Sequence, residues 1–129
     1  DLLRAAHLVI GRAGGSSVAE ITTAGRPAIL VPLPIAASDE QTENARAMTD
    51  AEAGWMLRQA DFTPRALSAL LGELLDAGSG FASLSDAAAQ SATLARPDAA
   101  RLLANVVEEC LHTFPSSTPT PSSEKKPSP

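Results

Sequence analysis

Short unbroken runs of apolar residues alternate along this chain with stretches in which apolar positions recur every three or four residues. His7-Leu8-Val9-Ile10 and Ala28-Ile29-Leu30-Val31 are the clearest unbroken runs, the second bracketed by Pro27 and Pro32. Runs without alternation suit strands buried on both faces of a parallel sheet. Gly54-Trp55-Met56-Leu57 is a third and shorter one. Ser17-x-x-Glu20 has the spacing of a capping box and predicts a short helix ended by Gly25. Ser38-x-x-Gln41 predicts a second helix, to about Ala53. Thr63-Pro64 sets an N-cap residue ahead of a proline at the first helical position. Leu67, Leu70, Leu71 and Leu74 then share one face of a helix to about Asp76. Gly78 and Gly80 punctuate the chain before a helix from Phe81 to Ala95. Pro97-Asp98 opens a last one, with Leu102, Val106 and Leu103 or Val107 facing inward. Strand, helix, strand, helix, strand is the order of a doubly wound α/β domain. The expected fold is therefore α/β, a partial Rossmann-like parallel sheet with flanking helices. Three strands are half of such a sheet, so one edge is expected to take a partner.

The pattern stops at Thr113. TFPSSTPTPSSEKKPSP holds five of the ten prolines and five serines, with Phe114 its one large apolar residue. Such a segment cannot bury enough apolar area to offset its ordering entropy. We read 1–112 as the folded part and 113–129 as a disordered Pro/Ser-rich tail. The 129 residues are 44% hydrophobic and 19% charged, a globular balance, and 25 are alanines. Aromatics make up only 3%, with no tyrosine, which argues against a base-stacking platform. The net charge of -5 argues against a general polyanion binder, so no nucleic-acid partner is expected. Lys125 and Lys126 are the only lysines; residues 1–112 carry eight arginines instead. A single cysteine, Cys110, excludes an intramolecular disulfide and a CxxC zinc cluster. No apolar run reaches the roughly 18–20 residues of a membrane span. The chain starts at Asp1 rather than Met and runs almost at once into a strand, so a preceding N-terminal part is expected.

Ligands of open α/β sheets sit at the carboxyl ends of the strands, and two loops lie at such ends. Gly11-Arg12-Ala13-Gly14-Gly15-Ser16-Ser17 joins a strand to a helix. Its glycines admit a close ligand, the helix N-terminus suits a phosphate, and Arg12, Ser16 and Ser17 add a cation and hydroxyls. It is neither a Walker A loop nor GxGxxG, and an ordinary capped turn accounts for it equally well. The second loop, Pro32 to Asn44, brings Asp39, Glu40, Gln41 and Asn44 to one helix start. These groups can bond sugar hydroxyls, or simply complement the helix dipole and complete a capping box. Residue spacing alone reaches an α/β domain with a phosphorylated ligand as one reading. His7 reads as a half-buried strand residue, His112 as a helix-end cation, Cys110 as core, and Trp55 as a packed strand aromatic.

Taken together, three stretches carry a more specific signal: Gly11 to Glu20, then Ala24-Gly25-Arg26-Pro27-Ala28-Ile29-Leu30-Val31-Pro32, then Asp39-Glu40-Gln41-Thr42-Glu43-Asn44-Ala45. They resemble the C-terminal domain of GT-B glycosyltransferases of family 28. Within these they are most similar to the MurG-like group, bacterial transferases that move GlcNAc from UDP-GlcNAc onto the lipid-linked muramyl-peptide precursor of peptidoglycan. Ala51 to Trp55, the Thr63-Pro64 helix start and Arg96-Pro97-Asp98-Ala99-Ala100 continue the resemblance through about residue 112; the tail has no counterpart.

The resemblance implies that 1–112 is the donor-binding part, incomplete at its N-terminal side. Glu20 would accept from the ribose hydroxyls of UDP. Gly14, Gly15, Ser16 and Ser17 would face the diphosphate, with Arg12 structural or close to a phosphate. Gln41 and Asn44 would read the GlcNAc hydroxyls. No cofactor and no metal are implied. The catalytic base, the lipid-linked acceptor site and any membrane contact would belong to a missing N-terminal GT-B domain, so no catalytic residue is expected here. The full enzyme would work in the bacterial cytoplasm at the inner face of the plasma membrane. The sequence departs from the group at Ile35, often a histidine there, at Glu40, commonly His or Gln, and at Gly11 and Ala13, where relatives carry a serine or cysteine. A non-catalytic nucleotide-sugar-binding or interaction domain is the alternative, as is another GT-B enzyme such as a UDP-sugar 2-epimerase.

Overall fold

The computed structural model of the chain describes residues 2–34 and 39–113. Two compact units divide it, one through Pro97 and the other from Asp98.

The first unit is built on three short parallel strands, β1 (Val9–Gly11), β2 (Ala28–Leu30) and β3 (Gly54–Met56), in the order β1-β2-β3. Val9 pairs with Ala28, and Ala28 with Gly54, so the strands start level. One-turn α1 (Leu2–Ala5) precedes β1. Helix α2 (Gly15–Thr23) links β1 to β2, and α3 (Glu40–Asp50) links β2 to β3. After β3 come α4 (Pro64–Leu74) and α5 (Ser79–Thr93). The α/β reading holds, strand by strand.

Strand β2 is buried throughout, and its side chains alternate between two cores. Ala28 and Leu30 join Ile21 of α2 and Ala45 and Met48 of α3. Ile29 points the other way, to Leu74 of α4 and Leu84 of α5, with Trp55, Leu67, Leu70 and Leu71 packed around them. Trp55 is thus the packed strand aromatic its context suggested.

Helices α2 and α3 end alike. Gly25 takes φ 61°, its N–H reaches Thr22 O at 2.9 Å, and Arg26 N–H reaches Ile21 O at 3.1 Å. This is the Schellman arrangement, which favours glycine at its left-handed position. At the end of α3 the same place is held by Glu52, φ 55°, with Glu52 N–H to Thr49 O at 3.0 Å and Ala53 N–H to Met48 O at 2.8 Å.

Several local expectations are corrected. Helix α2 starts at Gly15 behind an extended Gly14, three residues earlier than a Ser17 cap would set it, and no side chain caps it. Glu20 therefore sits well inside the helix rather than at its third position. Helix α3 starts at Glu40 after Asp39, again without a side-chain cap; Gln41 is bonded elsewhere, and Ser38 lies outside the described residues. The Thr63 cap does form, its hydroxyl accepting from Ala66 N–H at 3.1 Å, with Pro64 in the first turn. His7 is exposed ahead of β1, not a half-buried strand residue.

The second unit contributes α6 (Ala99–Thr113). Leu102 and Val106, expected to face inward with Leu103 or Val107, are exposed, as are both of the latter and Cys110, expected in the core. Within its own unit α6 is the one described element. The remainder of the expected tail, 114–129, lies outside the described residues.

Candidate functional site

Because the three strands are parallel, Gly11, Leu30 and Met56 end on one edge of the sheet, and the loops that follow meet there. Backbone bonds hold the loop starts in line: Val31 N–H donates to Gly11 O at 2.8 Å and Leu57 N–H to Leu30 O at 2.9 Å. Ala13 is fully buried and anchors the loop between β1 and α2.

At the start of α2 the first intrahelical bond runs from Val18 N–H to Gly14 O at 3.0 Å. The N–H groups of Gly15, Ser16 and Ser17 precede it and point out of the helix end. With no side-chain cap and no acidic residue in the first turn, the positive end of the helix dipole is uncompensated. Ser16 and Ser17 are exposed beside it. The start of α3 differs, since Glu40 and Glu43 occupy its first turn. Of the starts of α2 and α3, that of α2 is the one suited to an anion.

Side chains from distant parts of the chain lock the edge together. Asn44 Nδ2 of α3 donates to Ala13 O at 3.0 Å, fixing the β1–α2 loop from the side. A Cβ on Gly15 would lie 4.0 Å from that same nitrogen, so Asn44 flanks the loop directly. Gln41 Oε1 accepts from Leu33 N–H at 3.0 Å and orders the chain leaving β2. Arg12 Nη1 donates to Val31 O at 3.2 Å and also to Gln59 Oε1 in the loop after β3. Arg12 thereby ties the chain just past β2 to the loop after β3. Gln59 was not anticipated, since 47 residues separate it from Arg12 and no local motif marks it.

Arg12, Gly14, Gly15, Gln41 and Asn44 are thus brought together at one edge. Glu20 is exposed further along α2 and lines a groove of about 430 Å³ with Leu3, Arg4 and Thr23. Two larger cavities lie away from these loops. One of about 940 Å³ runs between β3 and α5, past Trp55 and Gln90; one of about 600 Å³ lies beside His7 and Arg26. Ile35 lies outside the described residues. Among the described residues no helix is long and apolar enough to cross a membrane.

The sequence profile of the glycosyltransferase family 28 C-terminal domain matches residues 1–103. The chain belongs to that family. It is 56% identical over 111 residues to the UDP-N-acetylglucosamine–N-acetylmuramyl-(pentapeptide) pyrophosphoryl-undecaprenol N-acetylglucosamine transferase of Gluconobacter oxydans, covering 86% of this chain and 30% of that protein. The transferase of the same name from Granulibacter bethesdensis is 54% identical over 113 residues, 87% of this chain and 28% of that protein. A crystal structure of Acinetobacter baumannii MurG superposes with a TM-score of 0.72 at 35% identity, covering 81% of this chain and 29% of that one. The chain therefore spans about 30% of the length of these relatives, and its fold is that of the GT-B C-terminal domain.

Proposed function

We propose that this chain forms the donor-binding part of a transferase that moves N-acetylglucosamine from UDP-GlcNAc to a lipid-linked muramyl-pentapeptide acceptor. The observation that carries the reading is the uncapped start of α2 behind Gly14, on the carboxyl edge of the sheet. The names of the two similar transferases supply the donor and acceptor. The diphosphate would lie against the N–H groups of Gly15, Ser16 and Ser17, with the Ser16 and Ser17 hydroxyls as further donors. Negative charge grows on the leaving UDP as the bond to the sugar breaks. A preorganised helix end stabilises that charge without reorganising.

Glu20 lies five residues beyond the first helical residue, about 8 Å along the axis at 1.5 Å per residue. A nucleotide laid along α2 would bring its ribose near that carboxylate, which is suited to accept from a diol. Among the described residues Nε2 of Gln41 and Oδ1 of Asn44 make no protein hydrogen bond, and would meet sugar hydroxyls. The catalytic base, the acceptor site and the contact with the membrane belong, on this reading, to the part of the relatives that the chain does not match.

Calorimetric titration of the intact protein with UDP tests the assignment. Wild-type protein is expected to bind, and Glu20→Ala to bind roughly ten- to hundredfold more weakly, the range for hydrogen bonds to a charged group. Unchanged affinity in Glu20→Ala removes Glu20 from the donor site. Absence of UDP binding by the wild type overturns the reading.

A further inference from the structure

Arg12 is the first residue after β1, and its guanidinium reaches across the sheet edge to the chain just past β2 and to the loop after β3. One nitrogen, Nη1, donates to Val31 O just past β2 and to Gln59 Oε1 past β3. An exposed arginine otherwise samples many rotamers and presents its charge in no fixed place. Val31 O alone leaves the outer end of the group free to swing; the second acceptor, on a different loop, fixes it in two directions. The remaining guanidinium N–H groups are then held at the strand ends, two residues before Gly14, where the diphosphate is assigned.

We propose that Gln59 is a positioning residue for donor binding: it accepts from Arg12 and so holds the guanidinium across all three strand ends beside the phosphate loop. This rests on the donor-binding reading above. It adds a group from the third strand's loop to a site otherwise made by the first two. Gln59 does not touch the donor; its effect passes through Arg12.

UDP affinity is measured on the intact protein for the wild type, Gln59→Met, Arg12→Met and the double variant, with Glu20→Ala as the control for the donor site. Gln59→Met keeps the length of the side chain and removes the acceptor; Gln59→Ala replaces it if the methionine variant fails to fold. Loss of one hydrogen bond predicts a roughly three- to tenfold weaker Kd for Gln59→Met. It also predicts a higher donor KM at unchanged kcat, and no further loss when the change is added to Arg12→Met. Full additivity in the double variant would overturn the proposal, as would wild-type affinity in Gln59→Met. If the wild type binds UDP and Glu20→Ala weakens it while Gln59→Met does not, this proposal alone falls. If the wild type binds no UDP, both fall.

Discussion

A residue's backbone angles can decide its value independently of its contacts, and the ends of α2 and α3 make the comparison. Both close in the same hydrogen-bonding pattern, one with Gly25 and the other with Glu52 in the left-handed region. That conformation costs a residue with a Cβ about 1–2 kcal/mol. Glu52→Gly is therefore expected to stabilise the protein by about 1 kcal/mol. Gly25→Ala is expected to destabilise it by about 1–2 kcal/mol, since the new Cβ also comes within 3.4 Å of Ala92 Cβ. Midpoints of urea unfolding check both signs. Gly54 is constrained by space instead. A Cβ there would stand 2.3 Å from Ala28 O, inside the β2–β3 pairing, and Gly54→Ala should cost about 3 kcal/mol.

Helix starts show how far a local motif can be trusted. Ser17-x-x-Glu20 and Thr63-Pro64 both read as starts, and only the second is one. Thr63 follows an extended approach and meets the Ala66 N–H; Ser17 is already inside α2, because Gly14 turns the chain without needing a cap. Thr63→Ala should thus destabilise by about 1 kcal/mol, whereas Ser17→Ala should change stability by less than about 0.5 kcal/mol. Equal losses in the two variants would contradict the observed start of α2. The strands were legible because continuous apolar runs between prolines and glycines leave few other structures. One-turn α1 carries too few residues to show a period. The stripe on α6 was legible as amphipathic, but periodicity says which residues share a face and not what lies opposite them.

Over the whole molecule, β2 is the wall between two cores, and Ile29 is the member that reaches the α4–α5 side. Ile29 is fully buried, so Ile29→Ala should cost about 2–5 kcal/mol in chemical denaturation. The candidate site was legible in outline for a topological reason: parallel strands deliver their following loops to one edge. Its ties were not. Asn44 to Ala13 and Arg12 to Gln59 span 31 and 47 residues, distances at which sequence pattern carries no signal.

The uncapped start of α2 also bears on how binding should respond to ionic strength. Residues 1–112 contain no lysine, and the positive potential offered to a ligand there comes from backbone dipoles and one tethered guanidinium. Few mobile counterions gather on such a surface, so few are released when a dianion arrives. Raising the salt concentration from 50 to 200 mM should weaken UDP binding only a few-fold, a shallower dependence than a lysine-lined phosphate site would give.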